Sequence, residues 1–257
     1  MTNVTVTKNL ITIEESGVKQ GAAFVIFVIR ISLMKKTIII VAGGSGSRMG
    51  AEIPKQFIEL NGKPILMHTL ENLKAMDDSM ELILVLPKNE MDTWEKLCYK
   101  HSWSVPHKLA NGGATRFLSV KSGLDLVETG GVIGVHDGVR PFASQKVVDA
   151  CFAVANSSGA AIPVVPIVQS LRKLNNEHSE AVDRNGYCAV QTPQCFQTSV
   201  LKKAFESADR TNYSDDATVV EENGQTIHLI EGNTENIKIT SPIDLELAQL
   251  IISRQSA

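Results

Sequence analysis

Continuous apolar runs of five or six residues alternate along the chain with segments whose apolar residues recur every three or four positions. The runs are rich in β-branched residues and predict strands buried on both faces, over Thr37–Ala42, Leu82–Leu86, Val132–His136 and Ala160–Val165. The periodic segments predict helices over Pro64–Met76, Glu90–His101, Ala114–Glu128, Ser144–Asn156, Val200–Ala208, Asp215–Asn223 and Ser241–Ser253. Shorter strands are predicted at Leu109–Gly113, Ile227–Ile230 and Ile237–Ile239. Strands that alternate with helices are typical of an α/β fold with a doubly wound, mostly parallel sheet.

Two segments depart from this alternation. Residues 166–190 are polar, with turn signals at Asn175-Asn176 and Asn185-Gly186, and they predict a projecting β-arm (called the arm below). Residues 1–33 precede the first strand and contain the apolar stretch Gly21–Leu33, which Arg30 interrupts and which is too short to span a bilayer. We expect residues 34–257 to form one domain and residues 1–33 to lie outside it, as a mis-assigned translation start or a loose extension. An interfacial membrane anchor is the alternative for this stretch.

Charge and cysteine usage narrow the class of protein. The 257 residues carry 25 Lys plus Arg and 28 Asp plus Glu, a net charge of −3, which argues against a nucleic-acid binder that works through bulk basicity. A few placed cations can still hold a small anionic substrate. None of the 4 cysteines stands in a C-x-x-C pair, which predicts reduced thiols in a cytoplasmic protein. No membrane partner is expected, because the apolar stretch Gly21–Leu33 is too short to span a bilayer.

A glycine-rich loop, Gly43–Gly50, follows the first predicted strand, where ligands of α/β sheets bind. Its glycines let backbone N–H groups approach an anion. The spacing excludes a Walker loop, because Ala51 stands where Lys is needed, and a dinucleotide fingerprint, because Met49 takes the last glycine position. The glycines alone would also fit a turn without a ligand. Arg48 and Lys55 favour a triphosphate site, since fixed cations stabilise a phosphoryl transition state.

Two further motifs follow predicted strands. Asp137 ends the third buried strand, where carboxylates commonly serve Mg²⁺ or a ribose hydroxyl, although it could also cap the turn. His136 beside it is interpreted as a packed strand residue rather than a general base. A Gly-Gly turn precedes a helix with Arg116 and Ser119 in its first turns. Backbone amides and Ser119 could read a base edge there, and a plain helix start with a solvated Arg is the alternative.

In combination, G-G-x-G-x-R-M-G…P-K-Q, G-G-x-x-R-x-x-S-V, H-D-x-x-R-P and N-I-K-x-T resemble the sugar-nucleotide cytidylyltransferases, and within them the 2-C-methyl-D-erythritol 4-phosphate cytidylyltransferase family. The likeness runs from about Met34 to Ile252. It implies a Rossmann-like nucleotidyltransferase fold and transfer of a cytidylyl group from CTP to 2-C-methyl-D-erythritol 4-phosphate. The products would be 4-diphosphocytidyl-2-C-methyl-D-erythritol and pyrophosphate, in non-mevalonate isoprenoid biosynthesis. Mg²⁺ as cofactor and a homodimer formed through the arm are also implied.

The resemblance assigns roles to individual residues. The catalytic residues that it implies are Arg48, Lys55, Arg184 and Lys238. The implied CTP site comprises Ala42, Gly43, Gly44, Gly46, Lys55, Gly112, Arg116, Ser119 and Asp137. The implied site for the sugar phosphate comprises Asp137, Arg140, Ser170, Arg184, Thr192, Ser214 and Lys238. Asp137 would lie near a Mg²⁺ ion held mainly by phosphates, and Ser170 stands where the family usually has Thr.

Two rival functions remain open at the level of sequence. Ribitol-5-phosphate cytidylyltransferase shares the glycine loop, the H-D-x-x-R-P turn and the N-I-K motif. The segments Thr115–Val120 and Asp183–Gly186 look more like the methylerythritol enzyme. A non-catalytic nucleotide-binding module on the same fold would be expected to lack Arg48, Lys55 or Lys238, and all three are present.

Overall fold

The computed structural model describes residues 3–7, 10–14, 34–44 and 53–255, the first two ranges by their backbone alone. Contacts divide the chain into two units, residues 1–35 and 36–257. In the first unit, β1 (Asn3–Thr7) pairs antiparallel with β2 (Leu10–Glu14). The apolar stretch Gly21–Leu33 lies outside the described residues. The placement of residues 1–33 outside the catalytic fold therefore stays a prediction.

The second unit is built on an eight-stranded sheet. The strands of this unit are β3 (Lys36–Val41), β4 (Glu59–Leu60), β5 (Lys63–Pro64), β6 (Glu81–Leu86), β7 (Lys108–Asn111), β8 (Val132–Asp137), β9 (Ala160–Pro166), β10 (Leu171–Asn175), β11 (His178–Val182), β12 (Cys188–Val190), β13 (Gln194–Gln197) and β14 (His228–Glu231). Across the large sheet β7, β6, β3, β8, β13 and β9 follow one another, and β12 and β14 also pair with β9. The two short pairs β4–β5 and β10–β11 form sheets of their own.

The direction of the strands confirms a doubly wound, mostly parallel sheet. β3 pairs in parallel with both β6 and β8, and β6 with β7, whereas β13 is antiparallel to its neighbours β8 and β9. From β3 the chain builds outward to β6 and β7 and then returns to the other side of β3 to form β8. The order of the sheet thus reverses at β3, and a crevice opens outside the carboxyl ends of β3 and β8.

Seven α-helices are found among the described residues. They are α1 (Ile65–Met76), α2 (Met91–Lys100), α3 (Arg116–Leu124), α4 (Gln145–Ser158), α5 (Thr198–Ser207), α6 (Asp216–Glu222) and α7 (Pro242–Gln255). α3 begins at Arg116 because Thr115 caps its first turn, its hydroxyl oxygen accepting a hydrogen bond from the backbone N–H of Leu118 at 3.2 Å. The helix ends at Leu124, before the predicted end at Glu128. Within the described part of the chain, no helix has the length and apolar character needed to cross a membrane.

The core forms where α3 lies on the sheet. The predicted apolar face of this segment, Phe117, Val120, Leu124 and Val127, is buried in one cluster with Ile39 of β3. The approach is close, because a Cβ on Gly123 of α3 would lie 2.7 Å from Cγ2 of Ile39. The fit of helix to sheet brings the first turn of α3 to the mouth of the crevice.

The predicted strand Ile237–Ile239 is wrong. Ile239 is fully buried, but its backbone N–H donates to the carbonyl of Val139 at 3.0 Å and no strand ladder follows. The apolar side chains therefore mark packing against the turn after β8 rather than pairing in a sheet. The hydrogen bond between Ile239 and Val139 places Lys238 beside the carboxyl end of β8.

A hairpin forms within the arm. β10 and β11 pair antiparallel, with Leu171 opposite Val182, and most of their side chains are exposed. The two strands make no ladder with the large sheet. Polar composition and turn signals thus located the hairpin correctly. The predicted arm extends too far, because β12 (Cys188–Val190) pairs antiparallel with β9 in the large sheet. The role of the hairpin in dimerisation stays a prediction.

Candidate active site

A cleft of about 250 Å³ opens at the carboxyl ends of β3 and β8, and is called the first cleft below. Its walls come from the end of β3, the turn at residues 55–56, the start of α3, and the segments that follow β8. The lining residues are Val41, Ala42, Gly43, Gly44, Lys55, Gln56, Gly113, Ala114, Thr115, Arg116, Ser119, Asp137, Val139 and Lys238.

A second cavity of about 330 Å³ adjoins the first cleft. Its lining residues are Arg116, Asp137, Arg140, Val190, Gln191, Thr192, Gln194, Ser214, Asp215 and Lys238. The two spaces share Arg116, Asp137 and Lys238. A site of this shape can hold two ligands that meet at the shared residues.

The glycines after β3 let a lysine approach the backbone. A Cβ on Gly44 would lie 3.3 Å from Cε and 3.5 Å from Nζ of Lys55, so any larger residue at position 44 would crowd the ammonium group. Lys55 thus lies in the part of the first cleft beside the glycines, where the sequence predicts a triphosphate site. Gly46 and Arg48, which the sequence also predicts here, lie outside the described residues.

Asp137 is a buried carboxylate that several cations surround. Its Oδ2 atom lies 3.0 Å from Nζ of Lys238 and 3.1 Å from Nε of Arg140. Burial alone would raise its pKa, but the charges of Lys238, Arg116 and Arg140 hold the pKa of this carboxyl well below its usual range. Asp137 is therefore ionised at any physiological pH and is unsuited to donate a proton.

His136 is held in one neutral tautomer. Nε2 of His136 lies 2.9 Å from the carbonyl of Arg140, which can only accept, so Nε2 carries the ring proton. Nδ1 of the neutral ring therefore accepts from the hydroxyl of Thr192 at 3.0 Å, and the same hydroxyl oxygen accepts from the backbone N–H of Asp137 at 3.1 Å. Complete burial lowers the pKa of His136 to about 4. The prediction that His136 is a packed strand residue is confirmed, and Thr192 links β8 to the segment before β13.

Arg116 reaches from α3 to α6. Its guanidinium donates to Oδ2 of Asp216 at 2.6 Å, and Asp216 is almost wholly buried. Burial alone would lower the pKa of Arg116, but the charge of Asp216 outweighs burial and raises this pKa above its usual value. Gln194 fixes the start of α6, because its Oε1 accepts from the backbone N–H groups of Asp216 and Ala217 at 3.1 and 2.9 Å. The start of α6 therefore supports the arginine shared by both cavities.

The turn before α3 is stabilised from within. The hydroxyl oxygen of Ser119 accepts from the backbone N–H of Gly113 at 3.1 Å and donates to the carbonyl of Thr115 at 3.0 Å. The N–H of Gly112 donates to the carbonyl of Leu86 at 2.7 Å. Gly113 lines the first cleft, whereas the cleft lining does not include Gly112. Ser119 shapes this wall of the cleft, and its predicted contact with a base stays a prediction.

Arg140 connects the segment that carries Lys238 to the site. It donates to the carbonyl of Asn236 at 2.7 Å, and the side-chain amide of Asn236 donates to the carbonyl of Thr192 at 2.8 Å. Asn236 is fully buried. Lys238, two residues later, is thereby held beside Asp137 although no strand carries it.

Comparison with known proteins assigns this arrangement to a family. Residues 36–254 match the model of the IspD family, 2-C-methyl-D-erythritol 4-phosphate cytidylyltransferase. The chain belongs to this family. The enzyme of that name from Bacteroides fragilis is 50% identical over 219 residues, which cover 85% of this chain and 100% of that one. The enzyme from Bacillus pumilus is 36% identical over 222 residues, covering 85% and 97%.

Solved structures agree with this assignment. The 2-C-methyl-D-erythritol 4-phosphate cytidylyltransferase from Thermus thermophilus superposes with a TM-score of 0.72 at 31% identity, covering 86% of this chain and all of that one. The synthase from Anaerococcus prevotii gives a TM-score of 0.74 at 25% identity, with 88% and 99% covered. The nucleotidyltransferase fold predicted from the motifs is confirmed.

Three of the described residues that were predicted for the cytidylyltransferase site, Gly112, Ser170 and Arg184, line neither cavity. Ser170 and Arg184 are exposed on the arm and line neither cavity of their own chain. Arg184 donates to the carbonyl of Val168. Ser214 does line the second cavity, but the N-cap of α6 is Asp215, whose carboxylate accepts from the backbone N–H of Thr218 at 3.0 Å.

The donor set limits how a metal could bind. Within the described residues no group of three His, Cys, Asp or Glu side chains could hold a metal ion. Asp137 is the one carboxylate among the described residues that line the first cleft. A single carboxylate fits Mg²⁺, which commonly takes one or two protein oxygens and fills its shell with phosphate oxygens and water.

Sequence reasoning missed the supporting residues of the site. Asp216 and Gln194 have no role predicted from the sequence, and Gln56 appears only within the P-K-Q motif. Gln56 is buried at the wall of the first cleft. No local signal distinguishes such residues, because their roles depend on contacts between segments that are far apart in the chain.

Proposed function

We propose that this cytidylyltransferase binds CTP in the first cleft and 2-C-methyl-D-erythritol 4-phosphate in the second cavity. It joins them to 4-diphosphocytidyl-2-C-methyl-D-erythritol and releases pyrophosphate. The observation that carries this assignment is that the two cavities meet at Arg116, Asp137 and Lys238. A transfer between two bound ligands requires such a meeting point, because the reacting groups must be held together in a fixed geometry.

The triphosphate lies against the glycines after β3. Backbone N–H groups of Gly43 and Gly44 face its oxygens, and Lys55 beside Gly44 supplies a positive charge. Arg48 adds a second cation in this proposal. As the bond to pyrophosphate lengthens, charge builds on the leaving oxygens, and preformed cations stabilise it without rearrangement.

The attacking group is the phosphate of the sugar alcohol. Lys238 lies between the two cavities and orients this phosphate toward the α-phosphorus of CTP. Because a phosphate is already ionised at neutral pH, the step needs no general base, which agrees with a neutral, buried His136. Asp137 sets the positions of Lys238 and Arg140 through its charge.

Asp137 would also hold a Mg²⁺ ion that binds together with CTP. When bound, this ion neutralises part of the triphosphate charge. The carboxylate suits this role because the cations around it keep it ionised.

The arm completes the site of a second copy of the chain. The arm exposes apolar side chains at Val168, Leu174 and Tyr187, and the hairpin leaves strand edges unpaired. Pairing with the arm of a twin chain about a two-fold axis would cover both features. Arg184, which lines neither cavity of its own chain, would then grip the sugar phosphate in the partner's second cavity.

The four cysteines stand without C-x-x-C spacing, which supports the cytoplasm as the compartment in which the enzyme acts.

A coupled pyrophosphate assay tests the assignment. Purified protein with Mg²⁺ is given each of the four ribonucleoside triphosphates with 2-C-methyl-D-erythritol 4-phosphate or with ribitol 5-phosphate. Sustained release with CTP and the methylerythritol substrate is expected. Faster release with ribitol 5-phosphate would instead indicate the rival enzyme. Binding of CTP without turnover on either acceptor would indicate a nucleotide-binding module.

A further inference from the structure

The turn that carries Lys55 has few backbone restraints of its own. Residues 55–57 form a single turn of 3₁₀ helix, in which Phe57 N–H donates to the carbonyl of Pro54 at 2.9 Å and Ile58 N–H to that of Lys55 at 3.2 Å. One such turn is too short to be stable by itself. Two side chains of the turn, Gln56 and Phe57, are buried and help to fix its position.

An aromatic cluster of Phe57, Trp94, Trp103 and His107 lies behind this turn. Phe57 stacks on Trp94 of α2, with ring centroids 6.3 Å apart and planes inclined by 16°. Trp103 meets Trp94 edge-on, with centroids 5.2 Å apart. Trp94 and Phe57 are 2% and 3% exposed, so the contact between them is shielded from water.

Trp94 is itself fixed by hydrogen bonds that pass through the cluster. Its indole N–H donates to Nε2 of His107 at 3.0 Å, while Nδ1 of His107 donates to the carbonyl of Val105 at 2.7 Å. Trp103 donates from its indole to Glu71 of α1 at 2.8 Å. The Trp94 ring is thus anchored to segments outside α2 and presents one fixed face to Phe57.

We propose that Trp94 is a positioning residue of the reaction, which holds the Lys55 ammonium at the triphosphate end of the first cleft by fixing Phe57. The proposal rests on the role of Lys55 given above. A lysine side chain is flexible, and a displacement of a catalytic group by about 1 Å can cost roughly 100-fold in rate. Anchoring the turn two residues from Lys55 limits such displacement.

Steady-state kinetics of Trp94→Leu test this proposal, with Tyr99→Leu as the matched control from the same helix. Trp94→Leu removes the ring that faces Phe57. We expect kcat to fall by about 10- to 100-fold while KM for CTP changes by less than about threefold, because the loss falls on the transition state. Tyr99 lies on α2 outside the cluster and is 90% exposed, so Tyr99→Leu should stay within about threefold of the native kcat. Trp94→Phe should restore most of the activity, since it keeps a ring against Phe57.

A double-mutant cycle with Lys55→Ala separates positioning from general damage. If Trp94 acts through Lys55, the double variant Lys55→Ala/Trp94→Leu should be no slower than Lys55→Ala alone. Multiplicative losses in kcat would overturn the proposal, and so would a native kcat for Trp94→Leu. If Trp94→Leu does not fold, Phe57→Leu takes its place in the same cycle with the same expected result.

The cycle also distinguishes failure of this inference from failure of the proposed function. A native kcat for Lys55→Ala would overturn both the role of that lysine and the positioning role of Trp94. A slow Lys55→Ala variant with independent effects of Trp94 would overturn the positioning role alone.

Discussion

The charged side chains of the site lie around one buried carboxylate, that of Asp137. Lys238 and Arg140 contact it directly, and Arg116 acts on it through its charge. The sequence predicted a role for Asp137 because it lies at the end of a buried strand, where ligands of α/β sheets bind. Periodicity and spacing could not predict its ion pair with Lys238, which lies far away in the chain, and only the family resemblance placed the two residues in one site.

Lys55→Ala should leave the fold intact and lower kcat by about 10²- to 10³-fold, the usual cost of losing one charge-stabilising donor. Lys55 lies beside Gly44 at the first cleft, so its charge would be felt by the triphosphate. Turnover is measured by pyrophosphate release and the fold by circular dichroism. Lys88→Ala, an exposed lysine absent from the lining of both cavities, serves as control and should be unaffected. A well-folded Lys55→Ala enzyme with native turnover would rule out the proposed role.

Asp137→Asn should show a pH-dependent loss of stability. The pKa of Asp137 is lower in the folded protein than in the unfolded chain, where Asp titrates near 3.9. Its charge therefore stabilises the fold fully above about pH 5, and this contribution declines as the pH falls and the unfolded state takes up a proton. Urea unfolding should give a larger free-energy difference between the native protein and Asp137→Asn at pH 7 than at pH 3. The exposed Asp209→Asn is the control, and an equal gap for Asp137→Asn at both pH values would contradict the prediction.

At the scale of elements, the periodicity of apolar residues located the buried strands and the helix faces. The face Phe117, Val120, Leu124 and Val127 was predicted and is buried as one cluster. The same signal failed at Ile237–Ile239, where apolar residues pack against a turn with no partner strand. The pattern of apolar residues predicts which side chains are buried. Whether such a segment pairs as a strand depends on whether another segment of the chain lies beside it.

Gly123→Ala tests the close approach of α3 to β3. An added methyl group would lie 2.7 Å from Cγ2 of Ile39 and 3.2 Å from Cγ2 of Val85, both on stiff β-branched side chains in the sheet. Overpacking of this kind costs about 1–3 kcal/mol of unfolding free energy. Chemical denaturation should detect it, with Gly186→Ala as control because nothing lies within 4 Å of its added methyl. A Gly123→Ala variant as stable as the native protein would mean that the helix can move away at no cost.

At the scale of the whole molecule, the site of one chain is incomplete if the arm serves a partner. Arg184 lines neither cavity of its own chain, whereas Lys55 and Lys238 line the first cleft. The sequence resemblance alone placed Arg184 in the site, because assembly between copies leaves no periodic signal within one chain. Arg184→Ala should therefore raise KM for the methylerythritol substrate far more than KM for CTP.

Mixed dimers decide whether the arm acts on its own chain or on the partner. In a dimer of one Arg184→Ala chain and one Lys55→Ala chain, shared sites would leave one centre with an intact Lys55 and an intact arm. The other centre would carry both defects. Random assembly makes half of the dimers mixed. At methylerythritol substrate concentrations far below the KM of Arg184→Ala, the co-expressed pair should therefore regain about a quarter of native activity, well above either variant alone. Differently tagged chains allow the mixed dimers to be purified and counted. Confirmed mixed dimers with no more activity than the single variants would show that Arg184 serves its own chain or no site at all.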